Sequence, residues 1–477
     1  MSLPVNKTKI VCTIGPACES PEILEQMIRT GMNVARLNFS HGDFEDHKER
    51  ILKIRAASKA TGRRVAIMAD LPGPKMRIGA LEPEPLELKA SDHFTLTVDE
   101  IVGNDTAASV SFKRLPMAVK PGDTLFLNDG LIQLEVLRVE GGDVHCSIVV
   151  GGELWSRKGL NLPGIDLGIS AFTERDHDCL RFALENGVDA ISQSFVEHAA
   201  DVTAVREACV ALGHSPFIIA KIERSRALDN FDGILQAADG IMIARGDLGV
   251  EIPIEEMALV QKRLMRKANL RGKPVITATQ MLESMTFNRR PSRAEATDVA
   301  NAILDGTDCV MLSGESAMGK YPVESVLMLV KIAAAIESQR PAHTVREELE
   351  NRRDRGGHLL PREILALTVA TAVESVSPAA VIIPTRSGAS ARTITRFRFP
   401  MWITAVSTQA ITCQQLQFSY GVFPLHEPDH PEDWNSFARN WLEANGIEGS
   451  LVVLTEGPSS KHPEANHRME IIDISRH

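Results

Sequence analysis

The sequence lacks the patterns that mark membrane, secreted and nucleic-acid-binding proteins. No apolar stretch approaches membrane-spanning length, and the N-terminus has no basic, apolar and small-residue signal pattern. No long basic run occurs and the formal net charge is −10, so nucleic acid and anionic membrane are poor partners. We therefore expect a cytoplasmic protein.

The cysteines are also poor in pattern. None of the seven belongs to a CxxC pair, and several fall inside apolar runs. This distribution is typical of small core residues in a reducing compartment, rather than of disulfides or zinc ligands. The cysteine positions are 12, 18, 146, 179, 209, 309 and 413.

What the chain does have is a repeated alternation of apolar runs and helix-like segments. With 477 residues it is too long for one core, and roughly three domains fit the usual domain size. Eight apolar runs predict strands, and segments with three-to-four-residue apolar spacing follow most of them. This alternation predicts an α/β fold built on a (β/α)8 TIM barrel. A doubly wound open sheet is the weaker alternative, because it does not explain why so many strand ends carry polar residues. The predicted strands are 9–14, 33–37, 65–69, 189–192, 217–222, 240–244, 274–278 and 309–312, and the predicted helices include 22–30, 176–186, 200–212, 253–270, 294–304 and 322–336.

Polar and charged residues stand where these strands end. Two of the runs end in Lys221 and Glu223 and in Arg245 and Asp247. Charges at the ends of buried strands cost stability unless they face a ligand or a metal. The pattern predicts an active site at the carboxyl edge of the barrel, with a cation bound by Glu223 and Asp247; a lysine–carboxylate network that only satisfies itself is the alternative. The full set of polar strand-end residues is Thr13, Arg36, Asn38, Ser40, Asp70, Ser192, Ser194, Lys221, Glu223, Arg245, Asp247, Thr279, Ser313 and Glu315.

The barrel pattern is interrupted twice. Between about 71 and 168, short alternating segments separated by Gly/Asp turns predict an inserted all-β domain, and the Pro-rich entry and Pro-Gly exit predict hinges of a lid. The second break, 340–362, is polar and charged, and another α/β pattern follows it. We assign 1–70 and 169–345 to the barrel, 71–168 to the lid and 346–477 to a C-terminal α/β domain. The strands predicted in the lid are 94–98, 124–127, 133–139 and 144–150, and those in the last domain are 380–383, 402–406, 421–424, 451–454 and 470–474.

Six segments, in order and spread along nearly the whole chain, resemble the pyruvate kinase family. What the resemblance implies is the last step of glycolysis, in which phosphoenolpyruvate and ADP give pyruvate and ATP. The segments are TKIVCTIGP at 8–16, GMNVARLNFSHG at 31–42, KGLNLPG at 158–164, ARGDLGVE at 244–251, ATQMLESM at 278–285 and MLSGE at 311–315.

The residue types suit this chemistry. Phosphoryl transfer requires anions to be positioned and developing charge to be neutralised, and a carboxylate pair with room for water and substrate oxygens suits Mg²⁺ or Mn²⁺ rather than zinc. By resemblance, Glu223 and Asp247 bind that ion. The implied catalytic residues are Lys221, Arg36, Arg77, Thr279 and Ser313, of which Ser313 and Glu315 are alternatively an ordinary helix cap. The implied substrate-binding residues are Arg36, Lys221, Gly246, Asp247 and Thr279. The implied nucleotide-binding residues are Arg36, Asn38, His41, Arg77 and Lys158.

One position departs from the potassium-activated members of the family. Those enzymes commonly have a glutamate where Lys75 stands here. By resemblance, the positions that hold K⁺ in them match Asn38, Ser40, Asp70 and the carbonyl of Leu71. Our hypothesis is that the Lys75 ammonium replaces K⁺, so that the chain resembles the bacterial, potassium-independent subgroup; a solvated hinge lysine is the alternative.

A loop in the C-terminal domain predicts a regulatory site. The segment 384–390 follows a strand and opens a helix, which places hydroxyl and amide groups around a possible phosphate. In the resembled family this loop anchors the sugar-phosphate effector, whereas an ordinary capped helix start is the alternative. Segment 456–463 lacks the Gly-x-Gly loop that accompanies fructose 1,6-bisphosphate, so a monophosphate such as glucose 6-phosphate, ribose 5-phosphate or AMP is the better expectation. The effector residues are Thr385, Arg386, Ser387, Gly388 and Ser390.

Two other functions are alternatives to the kinase. Another metal-dependent barrel enzyme acting on phosphoenolpyruvate or oxoacids would need neither Lys158 nor His41. A silent, metabolite-binding relative would be expected to lose at least one of the main catalytic residues, all of which are present. The resemblance also implies a homotetramer.

Overall fold

The structure is a computed structural model that describes residues 3–340, 344–457 and 466–475. Its centre is a closed barrel of eight parallel strands, in which each strand pairs with the next barrel strand along the chain and the eighth pairs with the first. The strands are almost wholly buried, as expected for a parallel sheet covered by helices. The predicted TIM barrel is confirmed. The strands are Lys9–Thr13, Val34–Asn38, Ala66–Leu71, Ala190–Gln193, Phe217–Ile222, Gly240–Ala244, Val275–Ala278 and Cys309–Leu312.

Helices follow the barrel strands, and several begin with a side-chain cap. Asp43, Thr173 and Ser292 each accept a hydrogen bond from the backbone three residues on and complete a capping box. The segment predicted as one helix over 253–270 is divided into a short 3-10 turn and an α-helix. The barrel α-helices are Pro21–Thr30, Phe44–Thr61, Glu174–Glu185, Ala199–Ala211, Ser225–Asp229, Phe231–Ala237, Arg245–Glu251, Met257–Leu270, Arg293–Leu304, Gly314–Ala317 and Pro322–Ile336, and the 3-10 turns of the chain are Ile254–Glu256, Glu283–Thr286, Glu337–Gln339 and Leu416–Phe418.

The insert after the third barrel strand is a β-domain with its own apolar core. Six of its strands form a mixed sheet that is antiparallel except where His93–Thr97 pairs with Ala107–Ser109, and two form a separate ribbon. The single departure from the all-β prediction within the described insert is the one-turn helix Leu115–Ala118. The strands are Leu86–Leu88, His93–Thr97, Ala107–Ser109, Thr124–Leu127, Ile132–Glu140, Asp143–Val150, Gly152–Leu154 and Leu160–Asn161.

The C-terminal domain has a five-stranded sheet whose last strand is antiparallel to the others. The charged stretch interpreted from sequence as a break contains a helix, Thr344–Asp354, which is anchored in this domain's core by Val345 and Leu349. The strands are Ala380–Pro384, Ile403–Ser407, Val422–His426, Leu451–Glu456 and Arg468–Asp473, and the helices are Thr344–Asp354, Pro361–Val376, Ala389–Thr395, Ala410–Gln415 and Trp434–Asn445. The residue limits of the domains remain predictions.

The C-terminal domain packs on the amino-terminal face of the barrel. Asp308, just before the eighth strand, forms a two-pronged ion pair with Arg398 at 2.6 and 2.9 Å. Lys9, at the start of the first strand, donates to the carbonyl of Val422 at 2.8 Å. The carboxyl face is therefore left for the lid. Within the described ranges, no helix is both long and apolar enough to cross a bilayer.

Candidate active site

Four charged side chains meet at the carboxyl ends of the barrel strands. Lys221 Nζ lies 2.8 Å from Glu223 Oε1 and 3.4 Å from Asp70 Oδ1. Arg36 lies on the other side of Asp70, with its Nε donating to Oδ2 at 2.7 Å. The Nη1 of Arg36 also donates to the hydroxyl of Thr13 at 2.8 Å. The strand register explains the meeting, because Asn38 pairs with Asp70 and Ser192 with Asp70 on neighbouring strands.

The pKa values of this cluster follow from burial and charge. Burial alone would lower the pKa of Lys221, but the charges of Asp70 and Glu223 outweigh burial and raise it above its ordinary value. Burial opposes ionisation of Asp70, yet Lys221 and Arg36 hold its pKa below the ordinary value. For Glu223, burial and the nearby charge of Asp247 raise the pKa despite the attraction of Lys221. Lys221 therefore remains charged and able to neutralise an anion.

The loop after the fourth barrel strand holds this cluster in place. Ser194 accepts a hydrogen bond from Lys221 Nζ at 2.7 Å and donates to the carbonyl of Leu71 at 2.7 Å. The amide of Phe195, whose φ is +57°, donates to Glu223 Oε2 at 2.8 Å. Sequence reasoning included Ser194 among the strand ends but missed the Phe195 amide, since a backbone donor leaves no residue-type signal.

A second part of the site joins the sixth and seventh strand ends. The amide of Gly246 donates to Thr279 Oγ1 at 2.7 Å, and that hydroxyl donates to the carbonyl of Ala278 at 2.6 Å. Arg245 turns away from this contact and is anchored by Asp298 at 2.7 Å and by the carbonyl of Thr279 at 2.9 Å. The backbone of residues 245–247 forms the first turn of helix Arg245–Glu251.

The chemistry of the donors fits a hard divalent cation. Glu223 is almost completely buried, and the charge of Asp247 is near enough to help raise its pKa. Across the described ranges, no group of three or more His, Cys, Asp or Glu side chains is arranged to hold a metal ion. Two carboxylates leave several coordination positions to water and substrate oxygens, which suits Mg²⁺ or Mn²⁺ better than a structural zinc site.

The predicted nucleotide residues lie at the rim. The His41 residue as a whole is exposed, but its ring is partly enclosed. This partial burial and the charges of Arg77, Lys75 and Arg36 lower its pKa, so cations from the lid and the barrel act on the same ring. Arg77 donates from Nη1 to the carbonyl of Arg157 at 2.9 Å. The carbonyl of Lys158 accepts from the amide of Ile78 at 3.0 Å, so Lys158 is tied to the strand segment that carries Arg77.

Three of the four groups expected to form a monovalent-cation site also have contacts within the protein. Asn38 Oδ1 accepts from the amide of Ser40 at 3.2 Å, Leu71 O accepts from Ser194, and Asp70 is bound by Lys221 and Arg36. Lys75 is exposed. Its charge is among the causes that lower the pKa of His41, whereas the charges that lower the pKa of Asp70 are those of Lys221 and Arg36.

Ser313 and Glu315 join the last two strand ends. Glu315 is buried and accepts from the amides of Ser313 at 2.7 Å and Leu282 at 3.0 Å. These contacts give Glu315 a positioning role between two loops. Ser313 is half-buried and precedes the one-turn helix Gly314–Ala317.

The lid exit is tied to the barrel by a buried arginine that sequence reasoning missed. Arg224, which is 1% exposed, donates to the carbonyl of Ile165 at 3.1 Å and pairs with Glu251 at 3.2 Å and Glu197 at 3.1 Å. Because these partners lie far from Arg224 along the sequence, no local pattern could have indicated them.

The effector loop is a well-held turn. The amide of Gly388, with φ +77°, donates to Thr385 Oγ1 at 3.0 Å, and the carbonyl of Arg386 accepts from Thr412 at 2.7 Å. Ser387 is exposed and Ser390 is half-buried. The opposite wall predicted over 456–463 lies, from residue 458 on, outside the described residues.

A TIM barrel that carries an inserted β-domain, and that groups cations and carboxylates at its carboxyl face, defines the class of barrel enzymes that act on anionic substrates. Comparisons with known proteins agree with this class. The family model described as "Pyruvate kinase, barrel domain" matches residues 5–326, and that described as "Pyruvate kinase, alpha/beta domain" matches residues 363–472.

Similar curated proteins extend over almost the whole chain. A pyruvate kinase of Thermococcus litoralis is 46% identical over 99% of this chain and 100% of its own length. Those of Geobacillus stearothermophilus and Clostridium acetobutylicum are 42% and 41% identical, covering 98% and 95% of this chain and 80% and 96% of the relatives. The chain belongs to the pyruvate kinase family and is a phosphotransferase.

Proposed function

We propose that this chain transfers the phosphoryl group of phosphoenolpyruvate to ADP and gives pyruvate and ATP, as the last step of glycolysis. The observation that carries the proposal is the cluster of Arg36, Asp70, Lys221 and Glu223 at the carboxyl face. Arg36 and Lys221, each paired with a buried carboxylate, match the need to neutralise a migrating phosphoryl group.

The reaction requires one bond to break and one to form. The phosphorus–oxygen bond of phosphoenolpyruvate breaks, a terminal oxygen of ADP takes the phosphorus, and the enolate left behind gains a proton at carbon. Glu223 and Asp247 would hold Mg²⁺ or Mn²⁺, which would supply positive charge to the anionic substrate. The first-turn backbone of residues 245–247, in which the Gly246 amide holds the hydroxyl of Thr279, is proposed as the seat of the substrate carboxylate.

The catalytic residues divide the remaining work. Arg36 and Arg77 hold phosphoryl oxygens with fork-like donors, and Lys221 neutralises the bridging oxygen as it becomes an enolate. Thr279 stands beside the substrate carboxylate and the carbon that is protonated. Ser313 belongs to the proton relay beyond Thr279. It is positioned by the hydrogen bond that its backbone amide donates to the carboxylate of Glu315.

Nucleotide binding is assigned to the rim and the lid. Asn38 and His41 from the barrel, with Arg36, Arg77 and Lys158, contact the ADP phosphates. The lowered pKa of His41 favours the neutral ring, which acts as a hydrogen-bonding group rather than as a permanent charge.

The enzyme is proposed to be independent of K⁺. Lys75 supplies a permanent cation whose charge helps to lower the pKa of His41. It is proposed to do the work of the ion that the positions of Asn38, Ser40, Asp70 and the Leu71 carbonyl hold in potassium-activated members. The contacts that Asn38, Asp70 and the Leu71 carbonyl already make within the protein support this proposal.

Activation by a phosphorylated metabolite is assigned to Thr385, Arg386, Ser387, Gly388 and Ser390. The held turn with exposed Ser387 supports one phosphate site, so a monophosphate such as glucose 6-phosphate, ribose 5-phosphate or AMP is proposed as the activator. Titration of activity with these compounds and with fructose 1,6-bisphosphate tests the assignment; activation by the bisphosphate alone would contradict it.

Assembly and location complete the proposal. Exposed apolar side chains on the barrel support a homotetramer, which light scattering would test. Seven free, buried cysteines support a reducing, cytoplasmic location. The exposed apolar residues are Ile254, Leu259, Phe287 and Met318.

One assay tests the central proposal. Pyruvate formation from phosphoenolpyruvate is measured with and without ADP in Mg²⁺ buffer free of K⁺, and then with K⁺ added. ADP-dependent activity already full without K⁺ is expected. Activity independent of ADP would exclude the kinase reaction, and activity only with K⁺ would exclude the role of Lys75.

A further inference from the structure

A large polar cleft lies between the amino-terminal face of the barrel and the C-terminal domain, away from the active site. It has a volume of about 810 Å³. One wall is formed by helix Met257–Leu270 with the turn that follows it, and the other by helices Thr344–Asp354, Pro361–Val376 and Ala389–Thr395. Pockets of this size accommodate small metabolites.

Basic side chains outnumber acidic ones in the lining, and each acidic side chain is already paired. Asp232 pairs with Lys267 at 2.8 Å and with Arg271 at 3.4 Å. The three other acidic residues are paired as Glu363 with Arg352, Glu348 with Arg266 and Asp239 with Arg206. Among the residues that the structure describes, four lining cations have no ion-pair partner: Lys273, Arg362, Arg392 and Arg396.

Two of these cations carry buried donors without acceptors. Arg396 is 5% exposed; its Nη1 donates to the carbonyl of Leu270 at 2.8 Å, whereas its Nε and Nη2 have no hydrogen-bond partner in the described part of the chain. Arg392, one helical turn earlier, donates from Nη2 to Ser387 O at 2.9 Å, and its enclosed Nη1 is likewise unpartnered within the described ranges. A buried polar group left without a partner destabilises the protein, and more so when it is charged.

The like charges of the cleft repel one another. Burial lowers the pKa of Arg396 to about 10 against the attraction of Glu363, and the nearby Arg352 and Arg362 lower it further. Burial also lowers the pKa of Lys273, with Arg392 among the cations that add to the effect. An anion would relieve both the repulsion and the unmet hydrogen bonds.

We propose that this cleft binds the phosphate group of a phosphorylated small metabolite. Arg396 offers planar donors that match phosphate oxygens, and Lys273 adds a compact charge. Arg392 adds positive charge to the wall, although its guanidinium lies against residues 387–388. Exposed Arg362 stands at the rim. The cleft exceeds what a free phosphate ion needs, so an ester is the ligand class.

This site is distinct from the loop 385–390 but is in contact with it. Arg392 joins the two, because its Nη2 holds the carbonyl of Ser387. Binding in the cleft is therefore expected to change the affinity of the loop for its own ligand, and the reverse, by the same factor. The proposal does not depend on the kinase reaction, since binding is measured without turnover.

Binding is tested by calorimetry on the full chain with glucose 6-phosphate, inorganic phosphate and glucose as probes. Saturable binding of glucose 6-phosphate, weaker binding of phosphate and none of glucose are expected. Arg396→Gln and Lys273→Met should each weaken glucose 6-phosphate binding by at least about tenfold, the equivalent of about 1.4 kcal/mol. Because Arg396 is buried, exposed Arg362→Gln serves as a variant that leaves the core intact, with a smaller loss expected.

Two controls locate the effect. Arg263→Gln removes an equal charge from an exposed position on helix Met257–Leu270 outside the cleft lining and should not change binding. Ser387→Ala with Ser390→Ala removes hydroxyls of the loop and should leave the cleft affinity within about twofold. The proposal is overturned if no phosphorylated probe binds, if the three cleft variants bind as the wild type does, if Arg263→Gln weakens binding equally, or if only the loop variant loses binding. Binding of inorganic phosphate with exclusion of the sugar phosphate would overturn the ester assignment.

Discussion

The hydroxyl of Thr279 accepts a hydrogen bond of 2.7 Å from the amide of Gly246, and it does so from a backbone with φ +69°. A β-branched residue in the left-handed region is uncommon and costs of order 1–3 kcal/mol. The following residue, Gln280, shares this conformation at φ +52°. Such strain, held where two barrel strands end, indicates that the position of the hydroxyl is maintained for function.

Replacing Thr279 separates the hydroxyl from the shape of the side chain. Thr279→Val keeps the β-branch and its strain but removes the hydroxyl, so kcat should fall by about 10² or more, the range of proton-transfer and positioning groups. Thr279→Ser restores the hydroxyl and should remain within about tenfold of wild type. Steady-state kinetics of both variants makes the comparison, and equal activities for valine and serine would remove the hydroxyl from the mechanism.

Lys221 should be needed for chemistry more than for binding. Lys221→Met removes the cation that Asp70 and Glu223 hold in place, and turnover should fall by about 10³ or more, as for comparable cations in phosphoryl transfer. The variant also leaves two buried carboxylates without their lysine, so its melting temperature must be measured alongside kcat. Exposed Lys120→Met serves as the control of equal charge. A folded Lys221→Met enzyme with less than about tenfold loss would contradict the role.

The parts of the site that sequence predicted are those carried by strand ends. Arg36, Asp70, Lys221 and Glu223 follow apolar runs, and parallel strands bring such ends to one face, so their meeting could be predicted from order alone. Asp70 also joins Arg36 to Lys221, a contact that strand order alone does not predict. The Phe195 amide could not be predicted, because its orientation depends on a loop conformation that many sequences can adopt.

The lid and its hinge show a similar division. Proline and glycine at 72–74 predicted a hinge, but the ion-paired Arg224 that ties the lid exit to the barrel depends on Glu197, in a loop, and Glu251, at the end of a helix. Likewise, helix Thr344–Asp354 lies in a stretch too polar to be predicted as packed, and its two apolar anchors gain significance only against the C-terminal core.

Gly73 should be intolerant of a side chain for steric reasons. Its φ is +63°, and an added Cβ would lie 2.8 Å from Phe195 Cδ2. Gly73→Ala should therefore lose about 1–2 kcal/mol from backbone strain and about 1–3 kcal/mol from overpacking. It should also lower activity, because Phe195 donates to Glu223.

Gly187 is the matched control for this hinge. It has φ +71°, and an added Cβ there meets nothing within 4 Å. Gly187→Ala should lose only the strain of about 1–2 kcal/mol and keep full activity. Urea unfolding and kinetics of the pair test the argument; equal losses of stability and activity would refute the steric part.

Lys9 should make stability depend on alkaline pH. It is 3% exposed, and burial lowers its pKa to about 8 despite the opposing influence of Cys309 and Glu337. In the unfolded chain the pKa is about 10.4, so between these values the unfolded state binds more protons and stability rises with pH. Relative to Lys9→Met, the wild type should gain about 2 kcal/mol between about pH 7.5 and pH 9.5. Urea unfolding at both pH values measures the difference in unfolding free energy between wild type and Lys9→Met. If that difference stays constant or shrinks, burial does not lower the pKa of Lys9.

The last prediction concerns the requirement for a monovalent cation. Lys75 is exposed, and its charge helps to lower the pKa of His41. Lys75→Glu reverses one charge at this point, and activity in K⁺-free buffer should fall by at least about tenfold, corresponding to about 1.4 kcal/mol of transition-state stabilisation. Added K⁺ should restore activity in the variant, while the wild type should respond little.

Lys75→Met distinguishes the loss of a cation from the gain of an anion. If the ammonium replaces K⁺, methionine should also lower activity without K⁺, but K⁺ should restore it less than in the glutamate variant, because methionine adds no carboxylate to help hold the ion. NaCl at equal ionic strength controls for screening, which acts on exposed charges within about 8–10 Å. Unchanged activity of Lys75→Glu in K⁺-free buffer would mean that Lys75 is a solvated hinge residue, and that the charge balance of the site is complete with Arg36, Asp70, Lys221 and Glu223.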